Sequence, residues 1–289
     1  MDDHHTPIVS VLMTMYNSAK YLSEAIESVL SSTFKDFEFI IVDDGSKDDS
    51  VHIAKGFQQN DPRIKVYVNE INLGDYPNRN RAAGYAKGKY LKYVDSDDKI
   101  YAHTLEVMVK GMESNPAAGF AGSSISESVE KLFTPEEAFR THFFRRGLFD
   151  YGPTATIIRR DVFFECGSFM KIRCVSDFDF WYTMAIKYPV LELPKDLIFR
   201  REHPDQEIKL PTHIIQNLTH TLPIIEKHLN NPDFPLNPAE KMMILKKFRK
   251  RSARNLIRDL QKRKKVKFFI STWRKLRLKV SYIFLKTIK

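Results

Sequence analysis

Three carboxylates, Asp95, Asp97 and Asp98, fall within four positions at the end of Tyr-Leu-Lys-Tyr-Val-Asp-Ser-Asp-Asp, residues 90–98. Carboxylates crowded this closely repel one another, and each stays ionised only with something cationic among them. A divalent metal fits that need, since Mg2+ takes one or two protein carboxylates and draws its other ligands from phosphate and water. The plain alternative is a solvated acidic turn after an edge strand.

The elements that must position these acids are legible upstream. Ile8–Met13 is a short apolar run of the kind a strand buried on both faces shows. A helix follows from about Ala19 to Ser31, with Leu22, Ala25, Ile26, Val29 and Leu30 on one face. Phe37–Val42 reads as the second strand, Ser50–Phe57 as a helix, and Ile64–Val68 as the third strand. A polar loop over Asn69–Pro77, a helix to about Ala86 and a stop at Gly88 lead to a fourth strand at Tyr90. Strands alternating with helices imply right-handed βαβ units and a parallel sheet. In such sheets ligands bind outside the carboxyl ends of the strands. Three polar clusters fall there: Thr14–Asn17, Asp43–Ser46 and Asp95–Asp98. No Gly-x-Gly-x-x-Gly or Gly-Lys-Ser/Thr loop is present, so neither a dinucleotide fold nor a P-loop is supported. A nucleotide here would be held through its base by an Asp and through its phosphates by a metal.

With 43% hydrophobic and 28% charged residues, the 289-residue chain has the makeup of a folded protein. No apolar run reaches the length of a membrane span, and the start Met-Asp-Asp-His-His lacks the build of a signal peptide. Cys166 and Cys174 are too few for a disulfide scaffold or a zinc site, and reduced thiols in a cytoplasmic protein are expected. The net charge of +10 is unevenly spread: residues 241–289 hold 19 Lys or Arg against one acid, Asp259, whereas the rest holds 27 basic and 35 acidic residues. A nucleic-acid-binding protein driven by the basic tail would be basic throughout, and residues 1–240 are not.

Five blocks taken together, Val9–Asn17, Phe34–Ser46, Asn72-Leu-Gly with Arg79-Asn80, Ala86-Lys-Gly88 and Val94-Asp-Ser-Asp-Asp98, resemble in order and spacing the successive blocks of family 2 glycosyltransferases. The resemblance covers roughly the first hundred residues. It implies a GT-A fold: α/β, with a mixed, mostly parallel central sheet flanked by helices, binding a nucleotide-sugar donor, a UDP-sugar first among them. It implies that Thr14, Tyr16 and Asn17 line the nucleoside pocket and that Asp44 hydrogen-bonds the base. It places Arg79 near the diphosphate, and gives Asp95 and Asp97 to the ribose and the metal-bound diphosphate. Asp98 is open as a metal contact in place of Asp97. A nucleotidyltransferase on a related fold would need a Gly- and Lys-bearing triphosphate loop, which is missing.

The resemblance continues more thinly. Ser176-Asp177-Phe178-Asp179-Phe180-Trp181 is similar to the family's Glu-Asp-x-Asp-Leu-Trp, with Ser176 in place of the Glu and Asp177 in the position of the general base. An inverting transfer is an in-line displacement, and a carboxylate accepting the acceptor's proton is worth about 10²–10⁴ in rate. Asp177 also suits a helix N-cap, and Asp179 reads as a first-turn structural carboxylate. Arg200-Arg-Glu-His203-Pro204 resembles the closing block, implying that His203 completes a site for Mn2+ or Mg2+. Residues 134–150, rich in Phe and Arg, read either as a helix packed on the sheet or as an acceptor-side surface. The acceptor implied is a glycan or a lipid-linked glycan, in cell-surface polysaccharide biosynthesis.

The expected domains are a catalytic 1–205 and a helical, strongly basic extension, 206–289. Thr212–Leu229 reads as a helix interrupted at Pro223, and Asn237-Pro238 as the cap and first residue of the next. Phe269, Trp273, Leu276, Val280 and Ile283 share a helical face. That pattern fits an interfacial helix on an anionic membrane, a lid on the catalytic domain, or a phosphate-contacting helix. The family's lipid-linked acceptors favour the membrane, which would place the protein peripherally on the inner face, with no nucleic acid expected.

Overall fold

The computed structural model describes residues 5–124, 130–172, 174–204, 206 and 211–279, with the side chains of 211–214 aside. The chain divides into two compact units, Met1–His203 and Pro204–Lys289.

The first unit is built on an eight-stranded sheet. Its strands are β1 (Val9–Met15), β2 (Phe37–Asp43), β3 (Ile64–Val68), β4 (Tyr90–Tyr93), β6 (Phe120–Ser123), β7 (Lys131–Phe133), β8 (Thr156–Arg159) and β9 (Val190–Leu193), in the order β3-β2-β1-β4-β8-β6-β9-β7. The first four are mutually parallel. β8 runs antiparallel to β4 and β6, and β7 antiparallel to β9, so the sheet is mixed and mostly parallel. The order turns back at β1, between β2 and β4, which opens a crevice at their carboxyl ends. β1 and β2 are apolar and buried on both faces, as a sheet covered by helices requires.

Helices α1 (Ala19–Leu30), α2 (Ser50–Asn60), α3 (Asp75–Tyr85) and α4 (Thr104–Ser114) follow the strands; α1 buries Leu22, Ala25, Ile26 and Val29 on the sheet. α5 (Pro135–Arg140), α6 (Arg160–Glu165) and α7 (Ser176–Lys187) complete the unit. Gly88 is required by close approach: a Cβ there would come within 2.5 Å of the Ser10 nitrogen on β1. Two boundaries differ from the sequence pattern. The apolar residues from Ile100 to about Asn115 follow a helical pattern, but Lys99–Ile100 forms instead a short strand, β5, paired antiparallel with β10 (Ile198–Phe199), and the helix starts at Thr104. The loop read as Asn69–Pro77 ends earlier, because Gly74, at φ 87°, turns the chain into α3 at Asp75.

The aromatic segment is core. Phe139, Phe143, Leu148 and Phe149 are buried, and Phe139 stacks edge-on against Tyr182 at 5.5 Å, so the acceptor-surface reading of 134–150 is not met by these rings. Of that group Phe144 is exposed.

The second unit packs α8 (Pro211–Leu229), α9 (Pro238–Arg263) and α10 (Val266–Lys275) around Leu218, Leu222, Ala253, Leu256, Trp273 and Leu276. α8 is continuous through Pro223, contrary to the expected break. Buried Leu218 and Leu222 before the proline and Ile224 and Ile225 after it hold both halves in line. Asn237 and Glu240 cap α9 reciprocally. The expected membrane face of α10 is in fact this unit's interior, since Trp273 and Leu276 are buried there; Val280 and Ile283 lie outside the described residues. Among the described residues, no helix is long and apolar enough to cross a membrane.

Candidate active site

The acidic loop leaves β4 at the crevice. The Asp95 amide donates to Thr154 Oγ1 at 3.0 Å, and the Asp98 amide donates to the Asp95 carbonyl at 3.0 Å, which curls the loop back. Asp95, Asp97 and Asp98 thereby offer carboxylate oxygens that all lie within 4.8 Å of one another. The pairing of β5 with β10 brings residues 201–203 against the loop. The Arg201 amide donates to Asp98 Oδ1 at 3.0 Å, its Nε donates to the Asp97 carbonyl at 3.0 Å, and His203 Nε2 sits 2.9 Å from Asp97 Oδ2. His203 is steadied by Tyr21, with ring centroids 5.0 Å apart.

Charge decides how these acids behave. Burial and the adjacent Asp95 push Asp98 up to about 7. Burial also opposes ionisation of Asp95, but the Arg79 guanidinium beside it holds its carboxyl below the usual range. Arg79 bridges from α3, with Nη2 at 2.8 Å from Asp95 and Nε donating to Asp75 at 2.8 Å, while Nη1 is buried with no partner. Beneath the loop Lys92 is fully buried and donates to the Tyr93 and Thr154 carbonyls. Burial lowers Lys92 to about 7, against the pull of Asp95 and Asp98. A set of hard oxygen donors that repel one another, with an imidazole at its edge, is the donor chemistry of a Mn2+ or Mg2+ site, so the residues present fit a divalent metal.

Asp177 lies in the first turn of α7. It does not cap that helix, whose N-cap is Val175; its Oδ1 accepts the Phe178 amide at 2.9 Å. Burial raises it to about 6, despite hydrogen bonds from that amide and from Tyr76 and despite the attraction of Arg79. Ser176, where the family pattern has Glu, is fully buried and donates to the Met170 and Ile172 carbonyls, so it pins the loop leading into α7. Asp179 is buried, as a structural carboxylate should be.

The side of the crevice expected to take the nucleoside is held differently. Asp44 is buried, and its carboxylate accepts the Leu73 amide, the Gly74 amide and Asn69 Nδ2, each at 2.8 Å. Asn69 Nδ2 also donates to Asn78 Oδ1 at 2.9 Å, and Asn69 Oδ1 is buried without a partner. Asn17, at φ 50°, a left-handed conformation that Asn tolerates, joins the loops after β1 and β2. Its amide donates to Ser46 Oγ and its Oδ1 accepts the Lys47 amide, both at 2.8 Å. Tyr16 is 52% exposed, so it is not a packed core ring, and Thr14 is half-buried at the end of β1.

One element therefore organises the site. The start of α3 holds Asp44 through the amide of its N-cap Gly74 and Asp95 through Arg79, and both Arg79 and Tyr76 act on the charge of Asp177. Asp75, Tyr76, Asn69, Asn78, Lys92, Thr154 and Arg201 were not singled out from the sequence. Of these, Lys92 carried a readable signal, a lysine in the middle of an otherwise buried strand.

The profile of Glycosyl transferase family 2 matches residues 10–174. The chain belongs to that family. As a family 2 glycosyltransferase it is 31% identical over 212 residues to MJ1057, an uncharacterized glycosyltransferase of Methanocaldococcus jannaschii, covering 70% of this chain and 72% of that one. It is 38% identical over 120 residues to TuaG of Bacillus subtilis, a glycosyltransferase named for teichuronic acid biosynthesis, covering 41% of this chain and 48% of TuaG. Staphylococcus aureus TarS 1–349 in complex with UDP-GlcNAc superposes with a TM-score of 0.72 at 20% identity, over 93% of this chain and 80% of that one. The mannosyltransferase PcManGT from Pyrobaculum calidifontis, in complex with GDP-Man and Mn2+, gives 0.63 at 17% identity, over 98% and 84%. At these identities the structural likeness establishes the GT-A fold, and the family membership makes the protein a glycosyltransferase.

Proposed function

We propose that this glycosyltransferase is metal-dependent and inverting, and moves a hexosyl or N-acetylhexosaminyl group from a UDP-sugar to a hydroxyl of a glycan or lipid-linked acceptor during cell-surface polysaccharide synthesis. The observation that carries the reading is the convergence on α3: Arg79 pairs with Asp95 of the acidic loop at 2.8 Å and also attracts the Asp177 carboxylate, as Tyr76 does from the same helical turn. The names of TuaG and of the UDP-GlcNAc complex of TarS support the substrate class.

In the reaction the acceptor oxygen attacks the anomeric carbon as the bond from that carbon to the diphosphate oxygen breaks, its electron pair leaving with the nucleoside diphosphate. Asp177 takes the acceptor's proton, and a carboxyl raised to about 6 is matched to that task near neutral pH. Asp97, Asp98 and His203 would hold Mn2+ or Mg2+, which offsets the charge developing on the departing diphosphate. The unpartnered Arg79 Nη1 is a donor for the diphosphate oxygens. Asp44 and the free Asn69 Oδ1 face the base, and exposed Tyr16 offers it a ring to stack on. Displacement in one step needs no covalent intermediate.

The test is thermal-shift screening with UDP, GDP, dTDP and CDP, each with and without Mn2+, followed by NMR of the product's anomeric configuration. The reading expects metal-dependent stabilisation by UDP and inversion at the anomeric carbon. Equal stabilisation with and without metal, or retention of configuration, would overturn it.

A further inference from the structure

The C-terminal unit displays its charge on an exposed stripe. Lys247, Arg251, Arg254, Arg258 and Lys262 of α9 are all exposed and follow one another at spacings of 4, 3, 4 and 4 residues. Those spacings place them on one side of the helix, along about 22 Å at the α-helical rise. Cations stacked in this way repel one another. The acid within that stretch, Asp259, is buried and already paired with Arg263 at 2.9 Å. Among the described residues, no carboxylate pairs with Arg251, Arg254, Arg258 or Lys262.

Exposed apolar side chains occur on the same two helices. Met243, one turn before Lys247, is 61% exposed. α10 turns Trp273 and Leu276 inward, but Val266 and Ile270, one turn apart, are 55% and 43% exposed, with exposed Lys267 and Arg274 in the same stretch. A soluble polyanion would satisfy the cations and gain nothing from Met, Val and Ile. The boundary between headgroups and acyl chains satisfies both.

We propose that α9's cationic stripe, together with Met243, Val266 and Ile270, docks the protein on an anionic lipid bilayer. The surface belongs to the second unit, and the proposal does not depend on the chemistry proposed for the first. This interface differs from the one the sequence pattern points to, because the Trp273 side is occupied within the unit.

Co-sedimentation of the full chain with vesicles of phosphatidylcholine, alone or with 30% phosphatidylglycerol, tests it. The wild type should bind the anionic vesicles and not the neutral ones, and lose binding as salt rises. At roughly fivefold per charge, R251Q/R254Q/R258Q should bind roughly a hundredfold more weakly. V266S/I270S should weaken binding about tenfold or more. Both variants change exposed side chains, so an unchanged melting curve should accompany the loss. Binding by R251Q/R254Q/R258Q equal to wild type, equal binding to neutral vesicles, or binding to heparin or single-stranded DNA without binding to anionic vesicles would each overturn the proposal.

Discussion

Asp44 and Asp177 are both carboxylates at the edge of the same crevice, and both are tied to α3, yet the protein treats them in opposite ways. Asp44 is surrounded by donors: two backbone amides at the start of α3 and the Asn69 amide, all at 2.8 Å. Asp177 is short of them, and burial lifts it to about 6. An acid whose oxygens are taken up by donors from the chain serves as a latch, whereas burial with few donors suits an acid to the proton-accepting role proposed for Asp177. The end of the crevice nearest Asp44 is accordingly preassembled by the chain itself. The end nearest Asp177 and the acidic loop holds charge that, on the proposed function, a donor and a metal would complete.

This contrast can be broken at either end. The largest effect is expected from Asp177→Asn, which keeps the shape and removes the base: kcat should fall by about 10²–10⁴ with UDP binding retained, read by steady-state kinetics and calorimetry. Arg79→Met removes the buried cation shared by Asp75 and Asp95, and should destabilise the fold by about 3–5 kcal/mol in denaturant melts, because two acids lose their partner.

A smaller effect concerns pH. Asp177 binds its proton more tightly in the folded protein, at about 6, than the roughly 3.9 of an unfolded chain. Between those values the native state holds the extra proton, so stability should fall by about 2 kcal/mol as pH rises from 4 to 6. Asp177→Asn should flatten that slope in melts taken across the range. The activity of the wild type should climb over the same limb as Asp177 ionises. The smallest effect is expected at the preassembled end: Asp44→Asn leaves one acceptor fewer for the Leu73 and Gly74 amides that lead into α3 and should cost about 1 kcal/mol of stability. A much larger loss of activity than of stability there would mean that Asp44 acts chiefly on the ligand.

Much of this site was legible in the sequence because the chemistry sits at the ends of strands. Residues 8–13 and 37–42 are short, largely apolar runs of the kind buried strands show, 90–94 reads as a strand despite Lys92, and the acids following them emerge on one edge if the strands are parallel. What was not legible depends on tertiary packing. Tyr76 and Asp75 looked like part of a polar loop, since nothing local marks that Gly74 would turn the chain into a helix aimed at the crevice. Ser176 reads from the sequence only as a replacement of the family's Glu, and the path of residues 170–172 is what makes it a clamp. The α10 face with Trp273 has the amphipathic pattern of a membrane helix, and periodicity alone does not distinguish lipid from the flank of another helix. Pro223 failed as a break for the same reason: neighbours on both sides held the helix together.

The claim on which the account depends is that Asp97 and Asp98 hold a divalent ion that the nucleoside diphosphate needs. Calorimetric titration of UDP into the wild type, Asp97→Ala and Asp177→Asn, each with and without Mn2+, tests it most directly. The account predicts Mn2+-dependent binding to the wild type and to Asp177→Asn, and none to Asp97→Ala. Metal-independent binding of UDP to all three proteins would contradict it.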